Sequence, residues 1–224
     1  MTDILSVETV FFTVMGYPMS YIEFFGTILN VVSVWLTARN KVASWPVGLV
    51  AVVLFFLLFH EIRLYSDMVE QAYFFVTGIF GWWAWTHPKR AEDTDAKKEL
   101  VISRGTAREL TIAGAATVFG TLALGAFMAR AHIFLPAVFS APADFPYTDA
   151  FTTVMSFVAT VLMIRKKVEC WYLWILVDVI GIWLYYVKGV RFIALEYVLF
   201  LILASWGLFK WRALLKGRET EKSA

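Results

Sequence analysis

One cysteine, three histidines and a low charge content each close off a class of protein. A lone Cys170 excludes an intramolecular disulfide, so cysteine usage says nothing about compartment. His60, His87 and His132 sit at the ends of apolar runs or between them, without ligand spacing to one another. No metal site, cofactor motif or nucleophile–base pair is legible, which argues against a membrane-embedded enzyme. Charged residues are 17% of the chain, and 20 Lys and Arg against 18 Asp and Glu give no reason to expect nucleic acid as a partner. No basic stretch precedes the first apolar run, so no cleavable signal peptide is expected. The apolar runs lack the strict alternation of barrel strands. Neither a ring of like charges nor a filter loop marks a channel.

What is abundant is apolar sequence. Hydrophobic residues are 60% of 224, and the mean hydropathy is +0.68. A helix needs about 20 apolar residues to cross the hydrocarbon core. Seven runs approach that length, at about 20–38, 45–61, 66–86, 108–129, 148–164, 170–187 and 191–210. The expectation is an all-α integral membrane protein with seven transmembrane helices.

An internal repeat organises them. At an offset of 126, residues 21–85 fall on 147–211 without a gap. The register pairs Tyr21 with Tyr147, Arg39 with Arg165, Lys41 with Lys167 and Trp45 with Trp171. It also pairs Glu70 with Glu196, Gly81 with Gly207 and Trp85 with Trp211. Leucine coincidences arise easily in apolar sequence, but Trp, Glu and Arg in one register do not. A three-helix unit leaves the chain on the face opposite its entry. The single helix 108–129 restores the starting side, so the two repeats are expected to be parallel. That linker is rich in Ala and Gly (Ala113, Gly114, Ala115, Ala116, Gly120), which suits close packing against another element or a neighbouring subunit, or simple space-filling.

Charge gives an orientation. Alternating the loops by side puts sixteen of the twenty basic residues together: Arg39, Lys41, Lys89, Arg90, Lys97, Lys98, Arg104, Arg108, Arg165, Lys166, Lys167, Lys210, Arg212, Lys216, Arg218 and Lys222. Arg63, Arg130, Lys188 and Arg191 fall on the other side. By the positive-inside rule the richer side is cytoplasmic, the N-terminus outside and the C-terminus inside. The expected organisation is an interfacial segment 1–19, helical if ordered, then a first repeat 20–86 and a cytoplasmic loop 87–107. The linker helix 108–129, an external loop 130–147, a second repeat 148–211 and a frayed basic tail 212–224 follow.

Ten Trp, nine Tyr and twenty Phe make aromatic faces common. Trp82, Trp83, Trp85, Trp206 and Trp211 read first as interfacial belt residues. Trp171 and Trp174 differ, because Asp178 follows at helical spacing and puts all three on one face. Asp178 lies about 10 Å into its span at 1.5 Å per residue. A carboxylate at that depth costs about 3 kcal/mol on insertion scales, so it needs a partner or a purpose. An aromatic wall beside an anion holds organic cations. The structural alternative is a salt bridge to Lys188 or to a neighbouring helix. Glu70 and Gln71, their counterparts Glu196 and Tyr197, and Asn30 supply carboxylate, hydroxyl and amide groups inside spans. Each reads equally as interhelical glue. Together they suggest a small, polar, aromatic ligand.

The same residues resemble a known family. Trp45-Pro46 with Gly48, Leu64-Tyr65-x-Asp67-x-x-x-Gln71 and Gly81-Trp82-Trp83-x-Trp85 look like the first half of the PnuC nicotinamide riboside transporters. Trp171-x-x-Trp174-x-x-x-Asp178, Tyr185-x-x-Lys188-Gly189 and Tyr197 resemble the second half, so the likeness covers about residues 20–212. It implies a 3+1+3 fold related to the SWEET sugar transporters, a homotrimer, and a bacterial inner-membrane location. It also implies facilitated diffusion by alternating access, with cargo between the repeats and a cytoplasmic riboside kinase trapping it. The site residues expected are Trp45, Asn30, Glu70, Gln71, Trp171, Trp174, Asp178, Tyr185, Glu196 and Tyr197. Family members that carry thiamine or riboflavin keep thiamine, another aromatic cation, as the main alternative cargo. A sugar or a channel function fits the Trp faces less well.

Overall fold

The computed structural model describes residues 6–14, 16–61, 65–87, 101–136, 142–187 and 191–223. Its helices start and stop where the chain supplies the means. Ser20 Oγ caps α1 (Tyr21–Ala38) by accepting from the Glu23 amide at 3.3 Å. Thr106 and Glu109 form a capping box at the start of α4 (Ala107–Met128). α1 is followed by Asn40 at φ 56°, and α6 (Pro146–Ile164) by Lys166 at φ 51°. In each case the next amide reaches back over the turn, Lys41 to the Leu36 carbonyl and Lys167 to Leu162, both at 2.9 Å. These Schellman closures satisfy carbonyls that the helix end would orphan. Asn tolerates the left-handed region, whereas Lys there costs about 1–2 kcal/mol. The two closures stand 126 residues apart, like the paired residues of the sequence register.

The chain forms two compact units, Met1–Leu100 and Val101–Ala224. In the first, α2 (Ser44–Glu61) packs against both α1 and α3 (Tyr65–Thr86). In front of α1 stands a two-stranded antiparallel hairpin of β1 (Val10–Val14) and β2 (Tyr17–Ser20). In an otherwise helical membrane fold, this hairpin stands where an interfacial helix was expected within the first 19 residues. The cause is local. Val-Phe-Phe-Thr-Val is β-branched and aromatic, Gly16 supplies φ 85° at the turn, and Pro18 disfavours a helix but suits an edge strand. Phe11 packs on Tyr21, Phe24 and Phe25, with ring centroids 4.5, 5.3 and 6.0 Å away. The Tyr17 hydroxyl donates to Glu23 Oε1 at 2.8 Å. Burial, and then this bond to the carboxylate, push its phenol up to about 12.

In the second unit α6 packs against α4 and α7 (Cys170–Val187), and α7 packs against α8 (Arg191–Ser223). α4 approaches α6 through its glycines. A Cβ on Gly120 would lie 2.8 Å from Val154 Cγ1, and one on Gly125 would collide with the Tyr147 ring. The expected loop 130–147 contains a short helix, α5 (Ala131–Phe134), with 137–141 outside the described residues. Of the polar segment 87–107, residues 88–100 lie outside them as well. The rest is tied down. Ser103 forms a parallel bridge with Lys167, the Gly105 amide donates to Glu169 Oε2 at 2.8 Å, and Glu109 meets Lys167 Nζ at 3.0 Å. The tail beyond 212 does not fray where it is described, since α8 continues to Ser223. Ala213, Leu214, Leu215 and Lys216 are strong helix formers and carry the helix past Gly217, which costs about 1 kcal/mol relative to Ala.

Six helices among the described residues are long and apolar enough to cross a membrane: α1, α2, α4, α6, α7 and α8. The seventh expected span falls on α3, which has 22 residues but is diluted by Asp67, Glu70 and Gln71. The surfaces of these helices expose Val50, Val76, Phe119, Leu122, Leu176 and Ile202, as lipid contact requires. Several of their threonine hydroxyls turn inward on their own backbone. Thr37, Thr77, Thr117 and Thr160 donate to the carbonyls of Ser33, Tyr73, Ala113 and Ser156 at 2.8–2.9 Å.

Candidate substrate site

Five residues of α7 recur at alternating spacings of three and four: Trp171, Trp174, Asp178, Gly181 and Tyr185. That spacing draws one stripe along the whole helix. Asp178 is only 3% exposed and is the one buried acid among the described residues. The indole Nε1 of Trp174 is buried without an acceptor. An unmet buried N–H costs about 1–3 kcal/mol. Farther along, Gly181 lets α8 come close: a Cβ there would collide with the Tyr197 ring. Tyr197 in turn stacks on Tyr185, with centroids 5.3 Å apart and planes at 25°. Asp178 and its aromatic neighbours thus lie on the face where α7 meets α8. Gly181 escaped the sequence reading, although its position three residues after Asp178 and four before Tyr185 was there to be seen.

Trp171 does something other than line this stripe. It is 1% exposed, lies over Gly207 and meets Trp211 edge to face at 5.5 Å and 88°. Trp45 repeats the arrangement in the first unit, set over Gly81 and edge to face with Trp85 at 5.4 Å and 86°. Trp85 and Trp211 are accordingly buried, at 3% and 0% exposure, and not belt residues, whereas Trp82 and Trp83 remain exposed. Trp45 and Trp171 each leave Nε1 buried without a partner. Their rings are committed to packing.

The other expected residues occupy half-buried positions. Asn30 lies midway along α1, and Glu70 and Gln71 lie in the second turn of α3, both helices packing on α2. Glu196 precedes Tyr197 on α8 and is half-buried. Leu64, Lys188 and Gly189 of the sequence motifs lie outside the described residues. Among those described, no cluster of three or more His, Cys, Asp or Glu could hold a metal ion.

Apolar helices of spanning length with one buried acid on an aromatic stripe define a multi-pass membrane protein equipped to hold a small molecule. The particular kind follows from comparison. The chain belongs to the nicotinamide mononucleotide transporter family, whose model it matches over residues 20–213, and so to a family of transporters and not of enzymes. It is 30% identical over 208 residues to the nicotinamide riboside transporter PnuC of Escherichia coli (strain K12), covering 88% of this chain and 87% of that one. It is 27% identical to the riboflavin/roseoflavin transporter RibM of Streptomyces davaonensis, covering 89% and 88%. Its fold is similar to the crystal structure of the vitamin B3 transporter PnuC, with a TM-score of 0.65 at 23% identity over 88% of this chain and 82% of that one.

Proposed function

We propose that this protein carries nicotinamide riboside across the membrane, with the nicotinamide ring held on the α7 stripe. The observation that carries the reading is the pairing of buried Asp178 with Trp174, one helical turn apart, whose indole N–H has no partner. The riboside offers a flat cationic ring for the Trp face, a contact that contributes up to about 2 kcal/mol when desolvated. Asp178 balances its charge, and Tyr185, Tyr197 and Glu196 are suited to ribose hydroxyls. Asn30, Glu70 and Gln71 of the first repeat carry amide and carboxylate groups of the same chemistry. The stripe includes a carboxylate and no Lys or Arg, which favours the riboside over its phosphorylated mononucleotide.

The topology we propose is seven spans in a 3+1+3 order, with α3 as the third and α4 joining two parallel repeats. The recurrence of the Schellman closures and of the Trp–Trp–Gly arrangement at one offset supports it. The charge split supports an outside N-terminus and a cytoplasmic C-terminus in a bacterial inner membrane. Facilitated diffusion by alternating access, made one-way by a cytoplasmic kinase, is what the family resemblance implies for transport. The kinase and a homotrimeric assembly rest on the family resemblance alone.

Calorimetric titration of the purified protein with nicotinamide riboside, thiamine and riboflavin tests the cargo. Micromolar or tighter binding of the riboside alone is the expected result. Thiamine binding would keep the cation site and change the cargo. Riboflavin binding, which RibM brings into question, would remove the charge argument for Asp178.

A further inference from the structure

We propose that the cleft between the start of α7 and the middle of α8 binds the phosphate-bearing head group of an anionic phospholipid. A cavity of about 700 Å³ opens there within the second unit. Its α8 wall is one stripe whose character changes along the helix. Leu208 and Phe209 come first, and Arg212 and Lys216 follow one and two turns later. Arg104 brings a third cation from the segment that the Ser103–Lys167 bridge ties down. The one acid in the lining, Glu169, already accepts from the Gly105 amide at 2.8 Å. Three cations therefore face the cavity against a single, engaged carboxylate.

That layout divides as a phospholipid does. Guanidinium and ammonium groups give a phosphodiester charge-assisted hydrogen bonds, while the neighbouring leucine and phenylalanine offer apolar surface to the acyl chains. The site lies near the end of the apolar window of α8, Ile193–Arg218, where head groups sit. None of the proposed cargo residues lines the cavity, so this reading and the cargo reading stand or fall separately.

Native mass spectrometry of the detergent-solubilised full chain, titrated with phosphatidylglycerol or phosphatidylcholine, tests it. Wild type should retain phosphatidylglycerol preferentially. At about fivefold per cation, Arg212→Gln with Lys216→Gln should weaken that binding about 25-fold. The control pair Lys210→Gln with Arg218→Gln removes equal charge outside the cavity and should change it less than about twofold. Lys216 is exposed, so Lys216→Gln alone, at about fivefold, serves if the double variant does not fold. Equal losses in the two pairs, equal binding of both lipids, or displacement of the lipid by millimolar inorganic phosphate would each overturn the proposal. The last would make the cleft a free-anion site.

Discussion

Trp171 meets Trp211 edge to face at 5.5 Å across the α7–α8 contact and lies against Gly207. Trp45 meets Trp85 in the same way and lies against Gly81, 126 residues earlier. A large ring occupies the space a side chain would need, and only glycine leaves it free. This is a packing device, used twice.

Substituting either glycine should therefore damage the fold before it damages binding. A Cβ on Gly207 would lie 2.7 Å from the Trp171 ring, and overpacking of that kind costs about 1–3 kcal/mol. Gly207→Ala and Gly81→Ala should each lower the thermal midpoint in detergent by several degrees, by similar amounts. A neutral Gly207→Ala would show that the ring can move aside.

The α7 stripe makes the opposite prediction. Trp174→Leu should keep the fold and weaken riboside binding by about thirtyfold, the loss of a desolvated cation–π contact. Asp178→Asn should weaken the cationic riboside at least about tenfold while leaving a neutral ligand unaffected. Calorimetry on both variants reads this directly. Full affinity in Asp178→Asn would remove the carboxylate from the mechanism.

Gly181 links packing to the site. Gly181→Ala would drive the Tyr197 ring from its place and disturb its stacking on Tyr185. Affinity should fall several-fold. Gly181→Ala with Tyr197→Leu should recover thermal stability but not binding, because the hydroxyl-bearing ring is gone.

Orientation is open to chemical labelling. Cys170 is fully buried and should resist a membrane-impermeant thiol reagent in intact cells. In a Cys170→Ser background, a cysteine replacing Lys98 should be labelled only after permeabilisation, and one replacing Pro142 without it. The reverse pattern would invert the topology.

Much of the architecture was legible because membrane helices are written in composition. Apolar runs of spanning length have few structural alternatives when every backbone group must be satisfied internally. The offset of 126 was visible because Trp, Gly and Arg are too distinctive to coincide often. Asp178 and Trp174 stood out for the same reason, as a charge at depth next to aromatics on one face. Belt and core tryptophans read alike in sequence, however, because hydropathy does not say what a ring touches. Trp85 and Trp211 look no different from Trp83, yet they are buried and Trp83 is 59% exposed.

The sequence by itself determined a polytopic helical membrane protein and the residues on which to look for a site, because periodicity and hydropathy are properties of the chain. Tertiary structure decided what those properties leave open. Residues 10–20 close into a hairpin because Phe11 finds the rings of α1, and α8 continues to Ser223 across Gly217. Trp171 turns to Trp211 because the glycine it can lie against is on α8, a partner set only when the helices pack.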